Sequence, residues 1–423
     1  MASRPYLPRI VDDQVTEDLA AIGAVVLEGP RACGKTETAR QHAASEVRLD
    51  IDHEALDLAR IDPALVLDGK TPRLLDEWQL EPALWNAVRR AVDDRGMPGQ
   101  FLLTGSASPP DDARRHSGAG RMAKVRMRPM TLSESRESTA DVSLAALFAG
   151  EAARGRSELS LADYAAVLER GGWPESVTSS GSNPGRFVRS HLDYVIEHMV
   201  PAVQGAHRDP LRFERFLWAY AQFSAQPAPL TRIISRVVGD DAPNSGRDAT
   251  LTWHTADAYH DAAAQLILLA DLPSWTPELR SRTRLASLDK RHFVDPSLPA
   301  ALLGVNAAGL LKDPQTLGFL FETLAVRDLS VYAQTLDANI FHYRERNGSL
   351  EADVVIEGRD GSWIGVEVKL GSRAIDQAAA ALLKLAKQRV RRPPQALVIV
   401  TTGEYAYRRP DGVDVVPLGA LTR

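Results

Sequence analysis

The octapeptide Gly29-Pro30-Arg31-Ala32-Cys33-Gly34-Lys35-Thr36 constrains this chain more than any other stretch, because it fits the pattern G-x-x-x-x-G-K-[ST] without a mismatch. An apolar run, Gly23-Ala24-Val25-Val26-Leu27, stands before it, and a helical run from Thr36 to Ala44 follows. Strand, tight loop and helix in that order predict an α/β layer. In such a loop Gly29 and Gly34 let the backbone turn its N–H groups inward around phosphate oxygens, with Pro30, Arg31, Ala32 and Cys33 spanning the turn. Lys35 supplies a point charge for the β- and γ-phosphates, and Thr36 offers a hydroxyl to Mg²⁺. The helix that follows points its positive end at the same anion. The residues therefore predict a site for ATP with Mg²⁺.

Hydrolysis needs a second strand that presents carboxylates to the metal and to water. Thr71-Pro72-Arg73-Leu74-Leu75-Asp76-Glu77 supplies such a strand end about 40 residues after the loop. Asp76 would hold Mg²⁺ through its water shell, and Glu77 would polarise the attacking water. Taken alone, the same residues also describe a strand ending in a solvated acidic turn. A third strand, Gln100 to Ser106, is apolar and ends in hydroxyl residues, which makes Thr104 a candidate for the γ-phosphate and Ser106 a weaker one. Beyond it come Arg114, Arg115, Arg121, Lys124, Arg126 and Arg128 with no acid between them. Such a stretch is either a solvated basic loop or the source of an arginine finger acting on a neighbouring subunit, and Arg121 in its Gly-flanked loop is the favoured candidate.

The order of these features resembles a family of prokaryotic AAA-type ATPases with a conserved C-terminal region. The resemblance rests on the P-loop, the Asp-Glu strand, the Leu-Thr-Gly-Ser strand, the Gly-Arg segment and Arg128-Pro129-Met130-Thr131-Leu132-Ser133-Glu134. It continues into Glu169-Arg170-Gly171-Gly172-Trp173-Pro174-Glu175, which is similar to the Gly-Gly-aromatic-Pro element opening that region. It implies a polar side chain near the γ-phosphate, here Thr104; self-association through the ATPase domain is expected because an arginine finger usually comes from a neighbour.

A length of 423 residues predicts about three domains. They are expected at 1–138, 139–304 and 305–423. No apolar run approaches the roughly 18 residues that span a bilayer, and Met1 to Gln14 lacks a signal-peptide core, so no membrane partner and a cytoplasmic location are expected. The single cysteine, Cys33, excludes internal disulfides and cysteine-based zinc sites, and its place in the loop favours a small side chain that fits over a redox switch. A net charge of -5 argues against nucleic-acid binding over the whole surface but leaves room for local basic patches.

Residues 136–160 read as a linker, and Leu161 to about Ala225 as helices. His191 and His198 lie seven apart with no third ligand, which favours helix surface or core over metal. Leu230 to Val238, a turn over Asp240 to Asp248, a helix from Thr255 to Leu269 and a strand-like end at Leu272-Pro273-Ser274-Trp275 follow. In the family this region resembles a winged-helix module. The would-be recognition helix carries Asp257, His260 and Asp261, which offer little to phosphates, so packing or subunit contact is at least as fitting. Arg280, Arg282, Arg284, Lys290 and Arg291 make a better basic stripe, or a solvated hairpin.

The last 115 residues carry a second signal. A helix from Gln315 to Ala333 precedes strand-like alternation at Asn339 to Arg344, Ala352 to Ile356, Trp363 to Leu370 and Ala396 to Thr401. Glu351 and Asp353 share one strand face, as do Glu367 and Lys369. This set resembles the core of the PD-(D/E)XK nuclease-like fold. The resemblance implies Glu322, Asp353 and Glu367 as metal ligands, Lys369 as the catalytic lysine and Glu351 as an accessory acid. Alternating charges on the wet face of an antiparallel sheet are the other explanation. A helix from Ile375 to Val390 follows, and between Arg373 and Arg392 six basic residues face one acid, Asp376. These either contact phosphates or mark a solvated helix end.

The expected fold class is thus α/β: an N-terminal P-loop AAA-type parallel sheet with flanking helices, a helical and winged-helix-like middle, and a C-terminal restriction-endonuclease-like domain. The expected function is ATP binding and hydrolysis coupled to that nuclease-like domain, acting on DNA or RNA. The alternative is an ATPase switch whose C-terminal domain is inactive and only binds a protein or nucleic-acid partner. A small-molecule kinase is disfavoured, since no acceptor pocket is legible beside the Asp-Glu strand.

Overall fold

The structure is a computed structural model that describes residues 6–105, 118–179, 183–200, 209–237, 251–276, 288–345 and 348–423. Ser106, Arg114, Arg115, the turn at 240–248, Arg280, Arg282 and Arg284 lie outside the described residues. The chain divides into two compact units, one of Met1–Pro129 with Gln265–Ile267, the other of Met130–Ala264 and Leu268–Arg423.

In the first unit the chain runs α1 (Val11–Ala21), β1 (Ala24–Glu28), α2 (Lys35–His42), β2 (Ser45–Arg48), α3 (His53–Ile61) and β3 (Arg73–Asp76), then α4 (Ala83–Arg95), β4 (Phe101–Gly105) and β5 (Met122–Arg126). The strands form one sheet in the order β2-β3-β4-β1-β5, and every pairing is parallel. Strands β1 and β4 are the apolar runs, and their central place explains why: a strand covered on both faces has no wet side to keep polar. The edge strands β2 and β5 carry Glu46, Arg48, Lys124 and Arg126 instead. Leu84, Trp85, Val88 and Val92 of α4 pack on Val26, Leu75, Phe101 and Leu103. Because the sheet is parallel, the C-terminal ends of β1, β3 and β4 share one edge, and the register sets Thr104 level with both Asp76 and Leu27.

The second unit opens with β6 (Val142–Ser143), α5 (Leu144–Phe148), β7 (Gly155–Arg156), α6 (Leu161–Arg170), α7 (Pro174–Thr178) and α8 (Arg186–Tyr194). There follow α9 (Pro210–Ala221), β8 (Gln226–Pro227), α10 (Leu230–Val237), α11 (Trp253–Gln265) and β9 (Lys290–Arg291). Next are α12 (Ser297–Leu302), α13 (Ala307–Leu310), α14 (Pro314–Thr335), β10 (Asn339–Arg344), β11 (Glu351–Glu357) and β12 (Trp363–Lys369). The chain closes with α15 (Ile375–Gln388), β13 (Ala396–Thr401), β14 (Tyr405–Arg408), β15 (Asp414–Pro417) and β16 (Leu421–Thr422).

Its main sheet has the order β10-β11-β12-β13-β15-β14-β7. The pairs β10–β11 and β11–β12 are antiparallel, whereas β12–β13 and β13–β15 are parallel, with α15 as the crossover between β12 and β13. Ile375, Ala378, Ala379, Leu382 and Leu385 of that helix pack on Trp363, Leu397 and Ile399. Helix α14 differs: from Leu320 to Ala333 every residue is buried. A helix buried all round must be apolar or must pair each polar group it carries, and α14 carries Glu322, Thr323, Arg327, Asp328 and Ser330.

In the middle of the unit, β8 pairs antiparallel with β9, and bridges join Leu269 to Phe293 and Leu272 to Lys290. A further bridge, Ser274 to His342, joins this small sheet to β10.

Candidate functional site

At the edge of the first sheet, the loop after β1 turns through left-handed positions at Ala32 (φ 64°) and Gly34 (φ 101°) before α2 begins at Lys35. A Cβ on Gly29 would stand 2.6 Å from the Met127 carbonyl oxygen and 2.9 Å from Cys33 Sγ, so only glycine lets the loop lie this close to the chain after β5. Cys33 is fully buried and packs under the loop. Arg9, which the sequence gave no reason to single out, braces it: its guanidinium donates to the Cys33 carbonyl at 2.7 Å and to the Arg128 carbonyl at 2.7 Å. Lys35 is buried, and its Nζ donates to the carbonyls of Gly29 and Pro30, both at 2.9 Å.

Asp76 ends β3 buried, and its Oδ1 accepts from Thr36 Oγ1 at 2.8 Å and from Thr104 Oγ1 at 2.5 Å. Three residues far apart in the chain therefore meet at one carboxylate oxygen. Hydroxyl and carboxylate oxygens are the donor set that hard Mg²⁺ takes. Glu77 follows in the left-handed region (φ 55°, ψ 42°), a conformation that costs a non-glycine residue about 1–3 kcal/mol and is concentrated at functional sites. Its carboxylate accepts from Gln79 Nε2, a second residue whose part was not legible beforehand.

Arg121 is elsewhere. It precedes β5, its carbonyl accepts from Ala24 N at the start of β1, and its Nε donates to Asp93 of α4 at 2.8 Å. In a parallel sheet the start of β1 is the edge opposite the loop, so the structure does not bring Arg121 to the nucleotide loop of its own chain.

In the second unit Glu322, Asp353, Glu367 and Lys369 do converge. Lys369 Nζ lies 2.5 Å from Glu367 Oε2 and 3.2 Å from Asp353 Oδ2. Asp353 Oδ2 also accepts from Val368 N at 2.9 Å. Between Asp353 and Glu322, however, stands Lys290, read from sequence as part of a surface stripe. Its Nζ is 2.5 Å from Glu322 Oε1 and 2.8 Å from Asp353 Oδ1. Among the described residues no group of three or more His, Cys, Asp or Glu side chains is arranged to hold a metal ion. The expected ligands Glu322, Asp353 and Glu367 are thus gathered, with the ammonium groups of Lys290 and Lys369 set among them. Glu351 is not part of it and pairs with Arg344 at 3.4 Å.

The electrostatics of the cluster follow from burial. Burial disfavours charge on Asp353, but Lys290, Lys369 and the Val368 N–H outweigh it and hold the carboxyl far below the usual range. Burial, helped by the Asp353 charge, pushes Glu322 up to about 8 and Glu367 up to about 8, against Lys290 and Lys369 respectively. Three carboxyls and two ammoniums reach neutrality with one proton on Glu322 or Glu367. His292 lies beside them, Nε2 3.8 Å from Glu322 Oε1, and burial next to Lys290 lowers it to about 3. It is a neutral imidazole whose Nδ1 meets Thr323 Oγ1 at 3.1 Å.

Two motifs singled out in the sequence prove to be joints within the second unit. Gly171 has φ 74°, and a Cβ on Gly172 would stand 2.2 Å from the Met130 carbonyl oxygen. Gly172 N donates to Asp295 at 3.0 Å, Trp173 Nε1 to Ser297 at 3.1 Å, and Met130 N to the Gly172 carbonyl at 2.6 Å. Arg327 of α14 pairs with Asp295 at 2.9 Å and Asp328 at 2.8 Å, and Asp328 accepts from Leu132 N at 3.0 Å. His191 is buried against Trp173 and Phe187, and His198 stacks on Tyr194.

Strand, glycine loop, Lys35-Thr36 and the Asp76 strand end on a parallel sheet give the first unit the architecture of a P-loop domain. Residues 22–135 match a family described as an AAA domain. Residues 161–309 and 317–421 match two domains of unknown function, DUF8612 and DUF4143. Similar chains include uncharacterized proteins of Mycobacterium bovis and Mycobacterium tuberculosis, each 27% identical over 401 residues, covering 93% of this chain and 79% of the relative. A solved Walker-type ATPase of Pyrococcus abyssi is 14% identical, with a TM-score of 0.43 over 71% of this chain and 98% of that one. No helix among the described residues is long and apolar enough to cross a membrane.

Proposed function

We propose that the protein is an Mg²⁺-dependent ATP hydrolase of the AAA type that switches a C-terminal domain which binds a partner and does not cleave it. The observation that carries the hydrolase part is the meeting of Thr36 and Thr104 on Asp76 beside Lys35. Thr36 and Asp76 would hold Mg²⁺, which when bound neutralises phosphate charge. Lys35 and the N–H groups of the glycine loop would hold the phosphates, Thr104 would face the γ-phosphate, and Glu77, hydrogen-bonded by Gln79, would orient and polarise water. Lys35→Ala is expected to abolish nucleotide binding; unchanged affinity in that variant would sink the assignment.

For the C-terminal part there are two readings. The order α14-β10-β11-β12-α15-β13 and the convergence of Asp353, Glu367 and Lys369 support a PD-(D/E)XK-like domain, and a metal-dependent nuclease gated by ATP is one use of it. The ammonium of Lys290 between Glu322 and Asp353 favours the other use, a domain that keeps the fold and has lost the metal. DNA or RNA is the partner favoured by the middle segment. There α9, α10 and α11 precede two segments joined by the bridges Leu269–Phe293 and Leu272–Lys290, an order similar to a winged-helix module. Self-association through the ATPase domain would let Arg121 act on a neighbour's nucleotide. A cytoplasmic location fits these activities. A gel-shift with short DNA and RNA duplexes and single strands tests the partner: binding without shortening is expected, and shortened products that depend on Glu367 would restore the nuclease.

A further inference from the structure

We infer that Lys290 is the built-in cation of the C-terminal carboxylate cluster, its ammonium occupying the place between Glu322 and Asp353 that a divalent ion would need. This rests on the reading of the C-terminal domain as non-cleaving and supplies its physical cause.

The seat of Lys290 is built by the backbone. Lys290 N donates to the Leu272 carbonyl and Leu272 N to the Lys290 carbonyl, both at 2.9 Å, while β8 pairs along the other side of the strand. Alternation along a strand sends Lys290 and His292 to one face and Arg291 to the opposite one. Arg291 confirms that geometry: its Nε donates to the Ala228 carbonyl at 2.9 Å, and its NH1 reaches Asp271 at 2.6 Å. Two residues before Lys290, the Leu288 carbonyl meets His342 Nε2 of β10 at 3.0 Å. Lys290 is held from both flanks, and its side chain is buried against Glu322 and Asp353.

The chemistry of the site leaves no room for a second cation. Oxygen ligands stand about 2.0–2.6 Å from Mg²⁺ or Ca²⁺. The oxygens of Glu322 and Asp353 that would face such an ion already lie 2.5 and 2.8 Å from Nζ. An ammonium has three N–H donors, and here it serves two carboxylates, while Lys369 serves Asp353 again and Glu367. Removing one member of such a buried set exposes the others as uncompensated charge. The lysine thereby does structurally what a metal would do, and it fastens β9 to α14 and β11.

Mn²⁺ titration of the nucleotide-free full chain tests this, read by the loss of the free-ion electron spin resonance signal. The proteins compared are wild type, Asp353→Asn, Lys290→Met and Lys290→Met with Asp353→Asn. Wild type and Asp353→Asn are expected to take up Mn²⁺ alike. Lys290→Met is expected to gain one bound ion that the double variant lacks. A wild-type ion that Asp353→Asn loses would overturn the inference, and so would a folded Lys290→Met that gains none. If Lys290→Met does not fold, the wild-type comparison decides, with Glu367→Gln as a second control. A wild type that binds such an ion yet leaves DNA and RNA intact overturns the role of Lys290 alone; one that cuts them overturns the non-cleaving reading as well.

Discussion

Gly172 shows how a residue that reads as part of a family motif acts through space alone. An added Cβ would meet the Met130 carbonyl oxygen at 2.2 Å and Met130 N at 2.8 Å, both backbone atoms that cannot rotate away. Gly172→Ala is therefore expected to destabilise the second unit by about 1–3 kcal/mol, the usual range for overpacking, in a chemical denaturation series. A midpoint equal to that of wild type would contradict the contact. The sequence marked this glycine but not its partners, because Met130, Asp295 and Arg327 lie far along the chain. Lys290 is the sharper case. Its neighbours Arg280, Arg282, Arg284 and Arg291 made it look like one of a surface stripe, yet its partners are 32 and 63 positions away, at Glu322 and Asp353. A basic residue followed by His292-Phe293-Val294 in an apolar strand was the available clue. Thr36, Asp76 and Thr104 were legible for the opposite reason: each sits at a strand or helix end whose chemistry is fixed by local spacing.

At the scale of the element, α14 buries charged side chains and the turn after β3 holds Glu77 in the left-handed region. Arg327 is buried against Asp295 and Asp328, both wholly inaccessible. Burial pushes Asp328 up to about 6 even with Arg327 opposing it, which shows how much the arginine is needed. Arg327→Met leaves two carboxylates uncompensated and is expected to cost about 3–5 kcal/mol in an unfolding series. Arg327→Lys is expected to recover only part of that, since a single ammonium cannot match the fork that spans Asp295 and Asp328. Full recovery would mean that charge alone matters there. The strands were legible in outline: β10 and β13 lie at Asn339–Arg344 and Ala396–Thr401, where alternation predicted them. The sheet's continuation into β15, β14 and β7 was not, because these are strands of four residues or fewer, too short to show a period. Nor was the burial of α14 on every side, which depends on what surrounds it rather than on its own pattern. In the other unit, Glu77 sits in a left-handed turn that Gln79 supports. Glu77→Gln is expected to keep ATP binding and to lower turnover by roughly 10²–10⁴-fold, measured as phosphate release under single-turnover conditions.

For the whole molecule the two halves make separable claims. A ligand that binds only the folded ATPase domain stabilises it by about 2.7 kcal/mol at a hundred times its Kd. Mg²⁺ with a non-hydrolysable ATP analogue is accordingly expected to raise the unfolding temperature of wild type and leave Lys35→Ala unmoved; a shift retained in Lys35→Ala would place the nucleotide elsewhere. The C-terminal domain is expected to ignore the same addition unless the switch reaches it. The most direct measurement follows ATP turnover and DNA or RNA cleavage side by side, with Mg²⁺, in wild type, Glu77→Gln and Glu367→Ala. ATP turnover is expected in wild type, its loss in Glu77→Gln, and intact nucleic acid throughout. Turnover that survives Glu77→Gln, or cleavage by wild type that disappears in Glu367→Ala, would contradict this expectation.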